Sequence, residues 1–107
     1  METTVHVKTK YYTGNTTLLF RRYADKSVAI QGVDPTDGSA LFTATVCLPR
    51  PPRPGHVWLK GWSENEGIPE ALEAAGIVKL TEQTQKTGYV EAVEAKLLVS
   101  PDTQKDK

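Results

Sequence analysis

The 107-residue sequence predicts one α+β domain: a mainly antiparallel β-sheet of about five to six strands, opening with a four-strand meander, with one short helix near residues 66–75 packed on it. Three observations point there. The first 48 residues hold four segments rich in Val, Ile, Thr, Phe and Tyr, separated by turn signals. Phe42, Ala44, Val46 and Leu48 alternate with Thr43, Thr45 and Cys47, the period of a strand with one buried face. Only one stretch, running up to Gly76, carries apolar residues at helical spacing between a start and a stop signal.

The strands are expected over residues 4–12, 16–23, 27–33 and 40–48. Thr13-Gly14-Asn15, Ala24-Asp25-Lys26 and Asp34-Pro35-Thr36-Asp37-Gly38 separate them, each with residues that tolerate turn backbone. Cys47 falls on the more polar face of the fourth. Pro49-Arg50-Pro51-Pro52-Arg53-Pro54-Gly55 then ends the meander, because its prolines lack ladder donors and favour an extended conformer. That run reads as a rigid connector across the edge or end of the sheet, or as a docking peptide for an aromatic groove.

A fifth strand is expected over 56–60, with Val57 and Leu59 on one side and Trp58, Lys60 and Trp62 on the other. Ser63-Glu64-Asn65-Glu66 fits a capping box, so a helix starts there or within three residues. Pro69 is acceptable only in the first turn, which leaves a start at Gly67 or Ile68 open. Ile68, Leu72 and Ala75 share a stripe, and Gly76 is placed to stop the helix. Residues 78–81 read as a short strand, 82–88 as a polar turn and 89–99 as a long final strand. In that strand Val93, Ala95, Leu97 and Val99 share a face with Glu91, and Ala92, Glu94 and Lys96 lie opposite with Val90. The domain is expected to span 1–99, with 100–107 a disordered tail.

Composition narrows the function classes. Of the residues 38% are apolar and 24% charged, the range of folded globular chains. No apolar run approaches the roughly 20 residues that span a bilayer, and the first ten residues lack the order of a signal peptide, so a cytoplasmic protein with no membrane partner is expected. The lone Cys47 forms no internal disulfide. Net charge is zero, yet residues 1–60 hold eight bases and four acids against five and nine in 61–107. Interleaving of strands from both parts in one sheet is expected to mix these charges.

The run Lys60-Gly61-Trp62-Ser63-Glu64-Asn65-Glu66-Gly67, followed by Glu70-Ala71-Leu72 and Ala75-Gly76-Ile77-Val78, resembles an uncharacterised family of small proteins carried by phages, plasmids and integrated elements of bacteria. Thr87-Gly88-Tyr89-Val90-Glu91-Ala92 is similar to that family's closing strand, so about half the chain takes part. Pro69 and the proline-rich run depart from the pattern. The resemblance implies a mobile-element setting and brings no catalytic residue. Small accessory proteins of such elements bind host or rival machinery, and inhibitors of CRISPR or restriction systems are one class.

The residues offer little for catalysis. Cys47, His6 and His56 sit on separate expected strands without a nucleophile signature. No Cys and His cluster has ligand spacing and the glycines are dispersed, so no metal or cofactor is expected. Glu64, Glu66, Glu70 and Glu73 fit an acidic first turn and a solvated helix face better than a catalytic pair. The expectation is a non-enzymatic protein that binds a protein partner through Trp58, Lys60, Trp62, Glu64 and Glu66. Aromatics anchor interfaces, and an acidic segment competes for basic grooves that hold nucleic acid. Both tryptophans would serve equally as cover for the helix-to-sheet junction.

One alternative is a single-stranded nucleic-acid-binding protein using Lys8, Lys10, Tyr12, Arg21, Arg22, Tyr23, Trp58 and Lys60, a reading that the neutral net charge weakens. Another is a self-associating module, a homodimer through an exposed edge strand.

Overall fold

The computed structural model describes residues 3–9, 12–50, 52–62 and 65–99. The expected tail at 100–107 lies outside the described residues. Strands β1 (Thr3–Lys8), β2 (Thr13–Arg22), β3 (Val28–Val33) and β4 (Ala40–Thr43) form the expected antiparallel meander in the order β1-β2-β3-β4. The second and third turns fall where the sequence places them. Asp25 accepts from the Ser27 backbone N–H at 2.9 Å, and Asp34 accepts from that of Thr36 at 2.7 Å. The first turn differs. Gly14 and Asn15 belong to β2, opposite Val7 and His6, and the bonds that close this end of the hairpin join Thr9 and Tyr12. There the Thr9 N–H donates to the Tyr12 carbonyl at 2.7 Å, and the Tyr12 N–H donates to Thr9 Oγ1 at 3.0 Å. A threonine closing the turn with its own hydroxyl thus supplants the glycine signal.

The fourth strand stops at Thr43 rather than Leu48 because the chain turns a corner into a second sheet. The Ala44 N–H still donates to Ile30 O of the first sheet at 2.8 Å, while Ala44 O accepts from the Lys60 N–H at 2.8 Å. Thr45 bridges to Leu59. Ala44 and Thr45 are therefore both buried, which breaks the strict alternation. The Thr45 hydroxyl is satisfied by the Ile30 N–H at 3.1 Å and by Tyr23 Oη at 2.9 Å.

The second sheet contains β5 (His56–Leu59), β6 (Val78–Thr87) and β7 (Val90–Leu97), ordered β5-β7-β6, which brings the described strands to seven. The polar stretch expected as a turn over 82–88 is the second half of β6. As a sheet edge it pairs on one side only and needs no apolar pattern. The reversal is instead confined to Gly88 and Tyr89, where Gly88 takes φ 67°.

Helix α1 (Ile68–Ala74) lies against both β1 and β6 and fills the gap between the outer strands of the two sheets. It begins at the later of the expected starts, with Gly67 at φ 94° as N-cap, making no side-chain cap, and a proline in the first turn. Ser63 and Glu64 of the capping pattern lie outside the described residues. At the other end Ile77 N–H donates to Leu72 O at 3.0 Å and Gly76 N–H to Glu73 O at 3.1 Å, a Schellman stop at the expected glycine. Ile68, Pro69 and Leu72 are the buried side of the helix, and Ala75 of the expected stripe is exposed. Seven residues do not hold a helix in water, so docking on the sheets stabilises it. Ile68 and Leu72 join Val7, Leu18, Ile30, Val57 and Leu59 in one core shared by both sheets.

Gly32, inside β3, is opposite Phe42 in the pairing of β3 and β4. A methyl group on it would lie 2.4 Å from Phe42 ring carbons. Gly32→Ala is expected to cost about 1–3 kcal/mol through overpacking, read from urea denaturation. An unchanged midpoint would show that the ring moves aside freely.

Candidate functional site

The second sheet has two occupied faces. Val57, Leu59, Val78 and Ala95 point into the shared core, while Trp58, Ala92 and Glu94 point the other way. Trp58 and Glu94 are cross-strand partners, so the indole and the carboxylate stand side by side. Arg50 and Arg53 of the expected connector are clipped to this outer face. Arg50 O accepts from Trp58 Nε1–H at 2.9 Å and from Gln85 Nε2–H at 3.0 Å, and the Arg50 guanidinium stacks 5.3 Å from the indole centroid.

Glu94 is 2% exposed and fully partnered. Arg53 grips it with two bonds, Nε to Oε2 at 3.0 Å and Nη2 to Oε1 at 2.5 Å, and the Thr81 hydroxyl lies 2.9 Å from Oε1. The Arg53 hydrogen bonds outweigh desolvation and, with Thr81, hold the Glu94 carboxyl below the usual range. Arg50 and Arg53 are thus engaged within the protein.

On the inward side of β7, beyond the core, lies an open cleft of about 300 Å³. Trp62, Pro69, Leu80, Val90 and Val93 line it, and Glu70 and Glu91 stand at its sides. The half-buried Trp62 also packs on the cluster of Leu48, Trp58 and Ala92, which fixes it as a wall. Next to Val90 at the hairpin tip, Tyr89 is fully exposed. The left-handed Gly88 puts it there.

Of the five expected site residues, Trp58 and Trp62 meet in one packed cluster, and among the described ones only Trp62 lines the cleft. Trp58 is 3% exposed and serves as the floor under Arg50. Lys60 is half-buried, with its backbone N–H on Ala44 O. Trp62 lines the cleft, and Glu66 is exposed just before the helix. Glu64 lies outside the described residues. Sequence reading missed Tyr89, Val90 and Glu91 as site residues, although a glycine followed by an aromatic between two strand patterns is a recognisable hairpin-tip signal.

The groups considered for catalysis are not assembled. His6 Nδ1 is 3.3 Å from Asn15 Oδ1, and His56 Nδ1 is 2.9 Å from Pro54 O. Cys47 Sγ lies 3.9 Å from Asp25 Oδ2. Partial desolvation and the Asp25 carboxylate push the Cys47 thiol up, away from thiolate. Among the described residues no three His, Cys, Asp or Glu are placed to hold a metal ion, and no helix is long and apolar enough to cross a membrane. Comparison of the chain with protein-family models, curated proteins and solved structures yields no match.

The two aromatic positions are expected to separate in a stability assay. Trp58→Ala should cost about 3–5 kcal/mol. Tyr89→Ala should stay within about 0.5 kcal/mol of wild type in urea melts. A mild Trp58→Ala would show that the outer cluster contributes little.

Glu94 makes a separate prediction about acid. Its folded-state pKa lies below the unfolded value of about 4.3, so its stabilisation is full above that pH and is lost as pH falls through the folded value. Urea midpoints between pH 7 and pH 3 should therefore fall more steeply for wild type than for Glu94→Gln. Parallel curves would remove Glu94 as a source of the acid response.

Proposed function

We propose that this chain is a small non-enzymatic accessory protein of a bacterial mobile element, acting in the cytoplasm by binding a host or competitor protein. The observation that carries the reading is the fully exposed Tyr89 beside the Trp62 cleft. An aromatic held out at a tight two-residue turn offers its ring to a partner, and an adjoining apolar cleft gives a partner's side chain a dry seat. Glu70 and Glu91 at its sides favour a partner that presents basic residues around an apolar anchor. Nucleic-acid-handling enzymes present such surfaces, which fits an inhibitor of the anti-CRISPR or anti-restriction type. The mobile-element setting rests on the resemblance carried by residues 60–78 and 87–92.

Affinity capture from nuclease-treated host lysate, with wild type and the Tyr89→Ala and Trp62→Ala variants in parallel, tests this. The wild type should recover a protein partner that both variants lose. Titration should then show each substitution weakening binding by about 2 kcal/mol or more, close to thirtyfold. Folded variants that keep full affinity would overturn the assignment of the cleft.

A further inference from the structure

A second surface lies at the opposite end of the β5 and β7 pair. There the 22–28 hairpin of the first sheet meets the 52–56 segment of the second around a cleft of about 190 Å³. Arg22 and Lys26 come to it from one side, Arg53 and His56 from the other. Across the adjoining sheet His56 is opposite Lys96, and Lys96 is opposite Lys79. Directly opposed residues share a face, so these three side chains form a row over strands about 4.8 Å apart. The row is roughly 10 Å long, and Lys79 and Lys96 are exposed along it.

Like charges placed directly opposite each other in a sheet repel, and a sequence selected only for stability avoids that arrangement. Among the described residues, the carboxylates of this cleft and face have partners of their own. Glu94 is taken up by Arg53, and Asp25, on the cleft, accepts from the Ser27 N–H at 2.9 Å and from Ser27 Oγ at 2.6 Å. Arg53 reaches Glu94 through Nε and Nη2 and keeps a largely exposed side chain. We propose that the path from Arg22 and Lys26 through Arg53 and His56 to Lys96 and Lys79 binds the phosphodiester backbone of a nucleic acid.

A path with Arg22, Lys26, Arg53, Lys96 and Lys79 spread along it suits a polyanion rather than one compact anion. Readout is independent of base sequence, because the nearby aromatics are committed within the protein. Trp58 is buried, and Tyr23 Oη is 2.9 Å from Thr45 Oγ1. This surface shares no residue with the Trp62 cleft, so it stands or falls apart from the protein-binding reading.

The test is fluorescence anisotropy of a labelled 20-nucleotide DNA, single-stranded and as duplex, with wild type and the Lys79→Gln/Lys96→Gln double variant. Wild type should bind at least one form at low salt and lose affinity steeply as salt rises. The double variant should bind at least tenfold more weakly, with a salt slope shallower by about 0.7–0.9 for each phosphate contact removed. Its free Tm should equal or exceed that of wild type, since a repulsive pair has gone. Trp62→Ala, where folded, should bind DNA as wild type does. Absence of binding up to about 100 µM protein at low salt would overturn the proposal, as would a double variant with unchanged affinity and slope.

Discussion

The corner at Ala44 and Thr45 is the constraint on which the rest of the structure depends. Ala44 donates its N–H to the first sheet and offers its carbonyl to the second, and the next residue bridges to Leu59. Two consecutive buried residues are tolerated because one is small and the other has its hydroxyl satisfied by Ile30 and Tyr23. The corner brings both sheets around one core instead of leaving each with an uncovered apolar face. It leaves β1 and β6 as outer strands, and α1 lies against both. The helix is too short to be stable alone, so it depends on docking against both sheets.

Much of this was legible in the sequence because local signals and tertiary demands agree. The 24–26 and 34–38 turns, the inward Val57 and Leu59, and the Gly76 stop follow from residue chemistry that no distant contact opposes. The failures have particular causes. The first hairpin was misplaced because Thr9 closes the reversal with its own hydroxyl, a bond no propensity records. The 82–87 stretch reads as a turn because an edge strand needs no apolar alternation, so the period-two signal is absent where the strand is real. The corner was hidden for a related reason: Phe42 to Leu48 alternates perfectly, and only the second sheet makes the chain bend within it.

The candidate site was less legible than the fold. Closeness in sequence suggests one surface around Trp58 and Trp62, and the two do pack in one cluster, but Trp58 is buried in it while Trp62 stays half-buried at its edge. Trp58 is a strand residue locked beneath Arg50, whereas Trp62 has left the strand and meets Pro69 of the helix and Val90 of the last hairpin. Those partners come from elements 7 to 28 residues further along the chain, a distance over which sequence pattern carries no pairing information. The charge asymmetry shows the same limit. Strands of the two parts do not interleave as expected: β1 to β4 form a sheet of their own, and β5 only borders β7 at the edge of the second sheet. The basic path forms near that border, drawing Arg22, Lys26 and Arg53 from one part and Lys79 and Lys96 from the other.

Register is what keeps the two surfaces apart. β5 and β7 run antiparallel, so the Trp62 cleft forms where β5 ends and β7 begins, and the basic path forms where β5 begins and β7 ends. A slip of one residue would exchange the faces, turning Lys96 inward and Ala95 outward. Two features oppose that slip. The step from Leu80 to Thr84 on β6 faces only the step from Ala95 to Val93 on β7, and Thr81 anchors this irregularity by its hydroxyl beside Glu94. Glu94 is also held by Arg53 across the outer face, so its charge is buried stably in one register only. The pair of buried Glu94 and exposed Arg53 therefore favours this alignment, and the alignment sets which basic residues share a row.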